Sequence, residues 1–182
     1  MKRVRVATIA IFMGISTVSL ANDGTINFIG VISASACSVN SVAGASSSTG
    51  TVNFGTVSSK TFGAAGDSTL GTPFSIELKD CALSAAPSIT MNGAAVTATG
   101  YTTLFSTNIS GIGIRIADAA DSSTVYAPGV STANSGLNVL TSTSVSQASA
   151  NFTASLVDYT GSSSYAGALD TDVTFTIDYS DS

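Results

Sequence analysis

Histidine and tryptophan are absent from this sequence, charged residues make up only 9% of it, and cysteine occurs twice. Without histidine no Ser-His-Asp or Cys-His arrangement can activate a nucleophile, so the many serines read as turn and strand-surface residues. Two cysteines with no histidine make a poor zinc site, and Cys37 and Cys81 are too far apart for a redox C-x-x-C pair. Hydrolysis by paired carboxylates needs two acids held in one pocket. Glu77 and Asp80 are neighbours in sequence, but Asp80 adjoins Cys81 at an expected strand end and reads as structural. The other acids show no calcium-loop spacing. Gly111-Ile112-Gly113-Ile114 fails as a nucleotide loop, because its glycines alternate inside a strand pattern and do not bridge a strand to a helix. An enzyme is not expected, nor any cofactor or metal. Function is expected to lie in surfaces.

Basic residues are scarce, and half of them sit at the start. Lys2, Arg3 and Arg5 precede an apolar stretch from Val6 to Val18, and Ser19-Leu20-Ala21 places small residues where a signal peptidase reads. Residues 1–21 are expected to be a secretory signal, since the apolar run falls short of the roughly 20 residues that span a bilayer. Removing the signal's three cations takes the net charge from −5 to −8, with Lys60, Lys79 and Arg115 left against eleven acidic residues. A nucleic-acid partner is excluded by that balance, and no polybasic patch offers itself to anionic lipid. Disorder is excluded too, because 44% of the chain is hydrophobic. Exposed positions filled by Ser, Thr, Gly and Ala can pack against copies of the same surface without burying unpaired charge.

What is present is alternation with a period of two. It recurs at Ile26-x-Phe28-x-Gly30-x-Ile32, Val52-x-Phe54, Phe74-x-Ile76-x-Leu78, Ile112-x-Ile114-x-Ile116, Phe152-x-Ala154-x-Leu156 and Val173 to Tyr179, each bounded by turn residues. Helical periodicity is hard to find. The 161 residues after the signal are expected to form one all-β domain, an antiparallel sandwich, with Val42 to Thr51 and Gly161 to Gly167 as surface loops. Ala82 to Ala86 is compatible with a helical turn. An even cysteine count in an exported chain argues for a Cys37–Cys81 disulfide, which closes a long loop and is worth on the order of 4 kcal/mol.

Two segments stand out. In Asn22 to Ile32, the residues Ile26, Phe28, Gly30 and Ile32 share one face of an extended strand directly after the expected cleavage point. Such a strand needs a partner edge to be ordered. At the other end Val173, Phe175, Ile177 and Tyr179 form an apolar strand face, and only Ser180 to Ser182 follow, too few for a neighbouring strand. The expectation is an open edge with unpaired backbone groups. One strand filling the other edge, between copies or within one chain, satisfies both by β-augmentation. Exchange between copies is a contact that does not close and builds a filament.

These segments carry a resemblance. Gly24 to Val39 (GTINFIGVISASACSV), Pro73 to Cys81 (PFSIELKDC), Gly111 to Asp118 (GIGIRIAD) and the ending GALDTDVTFTIDY resemble the pilins of the chaperone–usher class, close to type 1 fimbrial structural subunits. Gly167 stands twelve positions before Tyr179, the interval of that family's terminal motif. The resemblance implies an incomplete immunoglobulin-like β-sandwich lacking its last strand, completed by a donor strand from another subunit. It divides the chain into a signal (1–21), a donor-strand extension (22–36) and a pilin domain (37–182). It implies that a periplasmic chaperone lends a strand beside Gly167, Val173, Phe175, Ile177 and Tyr179. At the outer-membrane usher, Ile26, Phe28, Gly30 and Ile32 of the next subunit replace that strand, with Gly30 as the donor glycine. Cys37 and Cys81 match the family's disulfide. The partners implied are that chaperone, the usher, other copies and co-assembled fimbrial subunits, in a cell-surface fimbria that supports adhesion. The tyrosine of these pilins is usually penultimate, whereas three residues follow Tyr179 here. Alternatives are a minor or tip adaptor subunit of the same fimbria, or a self-contained exported sandwich that binds a small molecule or sugar.

Overall fold

The computed structural model of the chain describes residues 37–81, 86–141, 146–162 and 165–179. The expected signal, the whole extension from 22 to 36, residues 82–85 of the expected helical turn and Ser180 to Ser182 lie outside these. Among the described residues eight strands are formed: β1 (Ser38–Val42), β2 (Thr72–Lys79), β3 (Ser88–Asn92), β4 (Phe105–Ser106), β5 (Ile112–Asp118), β6 (Ser131–Ala133), β7 (Ala148–Asp158) and β8 (Thr174–Asp178). Two 3₁₀ turns, Ser59–Thr61 and Ser135–Thr141, are the helical segments among the described residues. The larger sheet has the order β1-β2-β7-β5-β4, and the smaller one β6-β3-β8.

Strand β7 is the spine of the larger sheet, because both its edges are paired. Phe152 faces Phe74 across β2, and Leu156 and Ala154 face Ile114 and Ile116 across β5. Its inward positions alternate small and large: Ala150, Phe152, Ala154 and Leu156 are all buried. The alanines leave room for the ring of Phe152, which stacks on Phe74 at 4.9 Å and meets Tyr126 edge-on at 5.0 Å. Ile76, Leu78, Ile89, Met91, Phe105 and Ile112 complete the layer between the sheets. Each such side chain contributes about 1.5–3 kcal/mol by leaving water.

Strand β5 is covered on both faces, which explains its glycine. Ile112, Ile114 and Ile116 face the main core, while Val96, Leu104 and Val157 form a second apolar cluster. A Cβ at Gly113 would lie 3.0 Å from Leu104 Cβ and 3.2 Å from a Val96 methyl, so the strand sits closer to that cluster than a side chain allows. At its end Asp118 is buried and fully served. Its Oδ1 accepts from the Ala120 N–H and the Ser135 hydroxyl, both at 2.8 Å, and its Oδ2 accepts from the Ser135 N–H at 2.7 Å. Burial alone would raise its pKa, but the Ser135 and Ala120 N–H groups and the Ser135 hydroxyl outweigh it and hold the carboxyl below its ordinary value.

Cys37 and Cys81 form the expected disulfide, with Cα atoms 4.2 Å apart. It ties the entry of β1 to the exit of β2, next to the paired residues Ser38 and Lys79. Asp80 between them adopts φ 56°, a left-handed conformation that Asp tolerates better than most residues. One expected strand does not form. Val52 and Phe54 alternate as a strand would, yet they pair with no sheet.

Candidate functional site

Strand β8 has hydrogen-bonded company on one side. Thr174 to Asp178 pair with Asn92 to Ser88 of β3, and among the described residues no strand pairs with its other edge. Across the gap stands β1, the edge of the other sheet, followed by the unpaired stretch that carries Val52 and Phe54. The sandwich is therefore open along one seam. Two cavities occupy it. One, about 300 Å³, reaches Met91, Ile114 and Ile116 in the core past Val173 and Phe175. The other, about 310 Å³, is lined by Phe62, Ile109, Ile112, Tyr165, Gly167 and Leu169. Phe54 and Leu169 line both, so the two cavities adjoin and together make a trench, the first beside the start of β8 and the second beside the chain that leads into it.

Of the residues singled out at this end of the chain, Gly167, Val173 and Phe175 line the trench, and Ile177 and Tyr179 continue the same strand face beyond it. Val173, Phe175, Ile177 and Tyr179 turn the same way and pack against the core half-buried, while Thr174 and Thr176 are exposed. Gly167 stands at the far end with φ 134°, where an L side chain would be strained although nothing lies within 4 Å of its would-be Cβ. Tyr179 follows β8 at its other end, beside Cys37. Its hydroxyl accepts from the Cys37 N–H at 3.0 Å and donates to the Cys37 carbonyl at 3.3 Å, and burial raises its pKa. The segment entering β8 is pinned by Asn108, whose side chain donates to the Ala168 carbonyl at 2.8 Å and accepts from the Asp170 N–H at 3.1 Å. Ile26, Phe28, Gly30 and Ile32 lie outside the described residues.

Several trench residues were not singled out from sequence. Val52 and Phe54 carried a signal, their alternation, which was read as a strand. Asn108, Phe62 and Leu169 carried none: Asn108 and Phe62 are brought there from parts of the chain distant in sequence, and Leu169 stands outside the alternation that marks Val173 to Tyr179. Apolar side chains make up most of the core side of the site, and Thr51, Asp170, Thr171 and Asp172 stand among its lining. No group of His, Cys, Asp or Glu able to hold a metal is found among the described residues. Asp170 and Asp172 stand at the trench mouth and are exposed. Among the described residues no helix is long and apolar enough to cross a membrane.

The comparisons with known proteins agree with this geometry. The P pilus rod subunit PapA superposes with a TM-score of 0.58 at 18% identity, over 79% of this chain and 99% of that one. A chaperone–usher pilus subunit from a structure concerned with rod uncoiling gives 0.57 at 20% identity, over 87% and 96%. The P pilus adaptor subunit PapF gives 0.52 at 19% identity, over 79% and 95%. The fold is that of the pilins, an immunoglobulin-like sandwich short of one strand. No curated protein sequence matches. The fimbrial protein family, a family of structural subunits, matches residues 26–180, and this chain belongs to it.

Proposed function

We propose that this chain is a structural subunit of a chaperone–usher fimbria and polymerises head-to-tail by donor-strand exchange. The observation that carries the reading is the half-buried apolar face of β8 beside an open trench, next to a β3 whose facing residues are dry. A strand laid there would pair the free edge of β8 and cover Val173, Phe175, Ile177 and Tyr179. The segment Gly24 to Ala36 suits it, because it contains no charged residue to meet Asp170 and Asp172 and presents Ile26, Phe28, Gly30 and Ile32 on one face. In this reading residues 1–21 are removed on export, and a periplasmic chaperone first lends the missing strand. At the outer-membrane usher, residues 22–36 of the incoming subunit displace it. The product is a surface filament that supports adhesion.

The test is deletion of Asn22 to Ile32. The shortened subunit is expected to fold on its chaperone and to accept a donor strand, but to terminate growth because it donates none. Long polymers built from it alone would end the donor-strand assignment.

A further inference from the structure

Cations are so scarce in this chain that the place of each one matters. After the expected signal only Lys60, Lys79 and Arg115 remain, and the Arg115 guanidinium donates to the Ser122 carbonyl at 2.6 Å. Lys79 ends β2 and is exposed. Among the described residues no acid lies within ion-pair distance of its ammonium. Glu77, two residues earlier on the same strand face, is engaged instead by the Asn40 side-chain amide at 3.2 Å.

What sets Lys79 apart is the chain that joins the body beside it. Its partner across the β1–β2 ladder is Ser38, so it stands next to the point where residues 22–36 meet the sandwich. That root is held three times: by the Cys37–Cys81 disulfide, by the ladder, and by the Tyr179 hydroxyl, which bonds both the N–H and the carbonyl of Cys37. Wherever the end of the extension is seated, Lys79 is carried close to it. At the opposite end of the body two carboxylates lack a cation. Asp170 and Asp172 are exposed just before β8, and the linings of the two cavities there contain no Lys or Arg. The Asn108 side chain, which accepts from the Asp170 N–H at 3.1 Å, fixes the backbone that presents them.

We propose that Lys79 of one copy pairs with Asp170 and Asp172 of a second copy, and that this ion pair orients successive copies where the inserted strand leaves the trench. The inference rests on the donor-strand reading above. A strand antiparallel to β8, the more stable pairing per residue, ends at the start of β8, where these acids stand. The five steps from Ile32 to Cys37 span at most about 18 Å, and the residues between, Ser33 to Ala36, are small and uncharged. The root of the donor is thereby kept near the acceptor's acids, with Lys79 in register beside it. An exposed pair adds little affinity, so its effect is on encounter and orientation.

The test is a double-mutant cycle on filaments grown from the refolded mature chain, residues 22–182, followed by light scattering at low ionic strength, where the pair is least screened. Lys79→Gln is expected to slow growth roughly two- to five-fold, the range of one exposed ion pair. In chain that already carries Asp170→Asn and Asp172→Asn it should slow growth no further. The cycle cancels the change in net charge that each substitution brings, so equal slowing in both backgrounds would overturn the proposal. In finished filaments of mixed isotope-labelled and unlabelled chain, carbodiimide is expected to join Lys79 of one copy to Asp170 or Asp172 of another. Joining to Asp178, beyond the other end of the trench, would overturn the antiparallel placement and the pair with it. Both of these failures leave the donor-strand reading standing. Filaments that grow normally from chain lacking Asn22 to Ile32 would end that reading, and this proposal with it.

Discussion

Strands β3 and β8 lie side by side in one sheet with residues in direct register, yet they live in different surroundings. Ile89 pairs with Ile177 and Met91 with Phe175. The β3 members are 0% and 3% exposed, whereas their β8 partners are half-buried. Sequence character does not separate the two pairs, since all four are large apolar residues on an inward face. Position in the sheet does. Ile89 has β6 on one flank and β8 on the other, while among the described residues Ile177 has β3 alone. The same residue type is fully buried in one strand and half-covered in the next, because among the described residues β8 has a strand on one side only.

Charge is the strongest way to break this comparison. Phe175→Asp is expected to leave a folded body but reduce polymer, read by sedimentation, to background, because a carboxylate in the trench is left unpaired under any incoming strand. Met91→Asp at the paired position should prevent folding itself. Normal assembly by the Phe175→Asp chain would remove the trench from the account.

Truncation sharpens the contrast with a smaller effect. Ile89→Ala is expected to cost about 2–5 kcal/mol in denaturant unfolding, the usual range for a filled core site. Ile177→Ala should cost clearly less in the uncompleted subunit and approach the Ile89→Ala value once a peptide of residues 22–36 is bound. Equal costs with and without peptide would mean that the peptide does not cover β8.

Acid is the mildest probe and addresses the filled region. Asp118 has a folded pKa below its ordinary value, so its contribution is complete above about pH 4 and is lost as pH falls through the folded pKa. Stability should decline on acidification below pH 4, and Asp118→Asn should flatten that decline. The decline should be the same with and without bound peptide, because the bonds to Asp118 come from Ala120, Asp121 and Ser135, away from the trench.

Much of this was legible in the chain. The alternation at Phe74 to Leu78, Ile112 to Ile116 and Phe152 to Leu156 marks β2, β5 and β7, because a strand buried on one face repeats every second residue. The even cysteine count led to Cys37 and Cys81. The short strands β4 and β6 were not legible, since two or three residues hold no period. Val52 and Phe54 misled for the opposite reason. Their period is that of a strand, but their apolar side is spent on the trench and their backbone finds no ladder. Asn108 was invisible because its role depends on Ala168 and Asp170, partners that only folding supplies.

The sequence by itself determined an all-β chain, an apolar segment with strand-like alternation near each end and one disulfide. Those follow from residue type and local spacing. Only the tertiary structure decided that the face of β8 is half-covered and that two adjoining cavities open beside it and the chain leading into it. Exposure depends on which strands become neighbours, and that is set by pairings between residues far apart in the chain, such as Ile89 with Ile177.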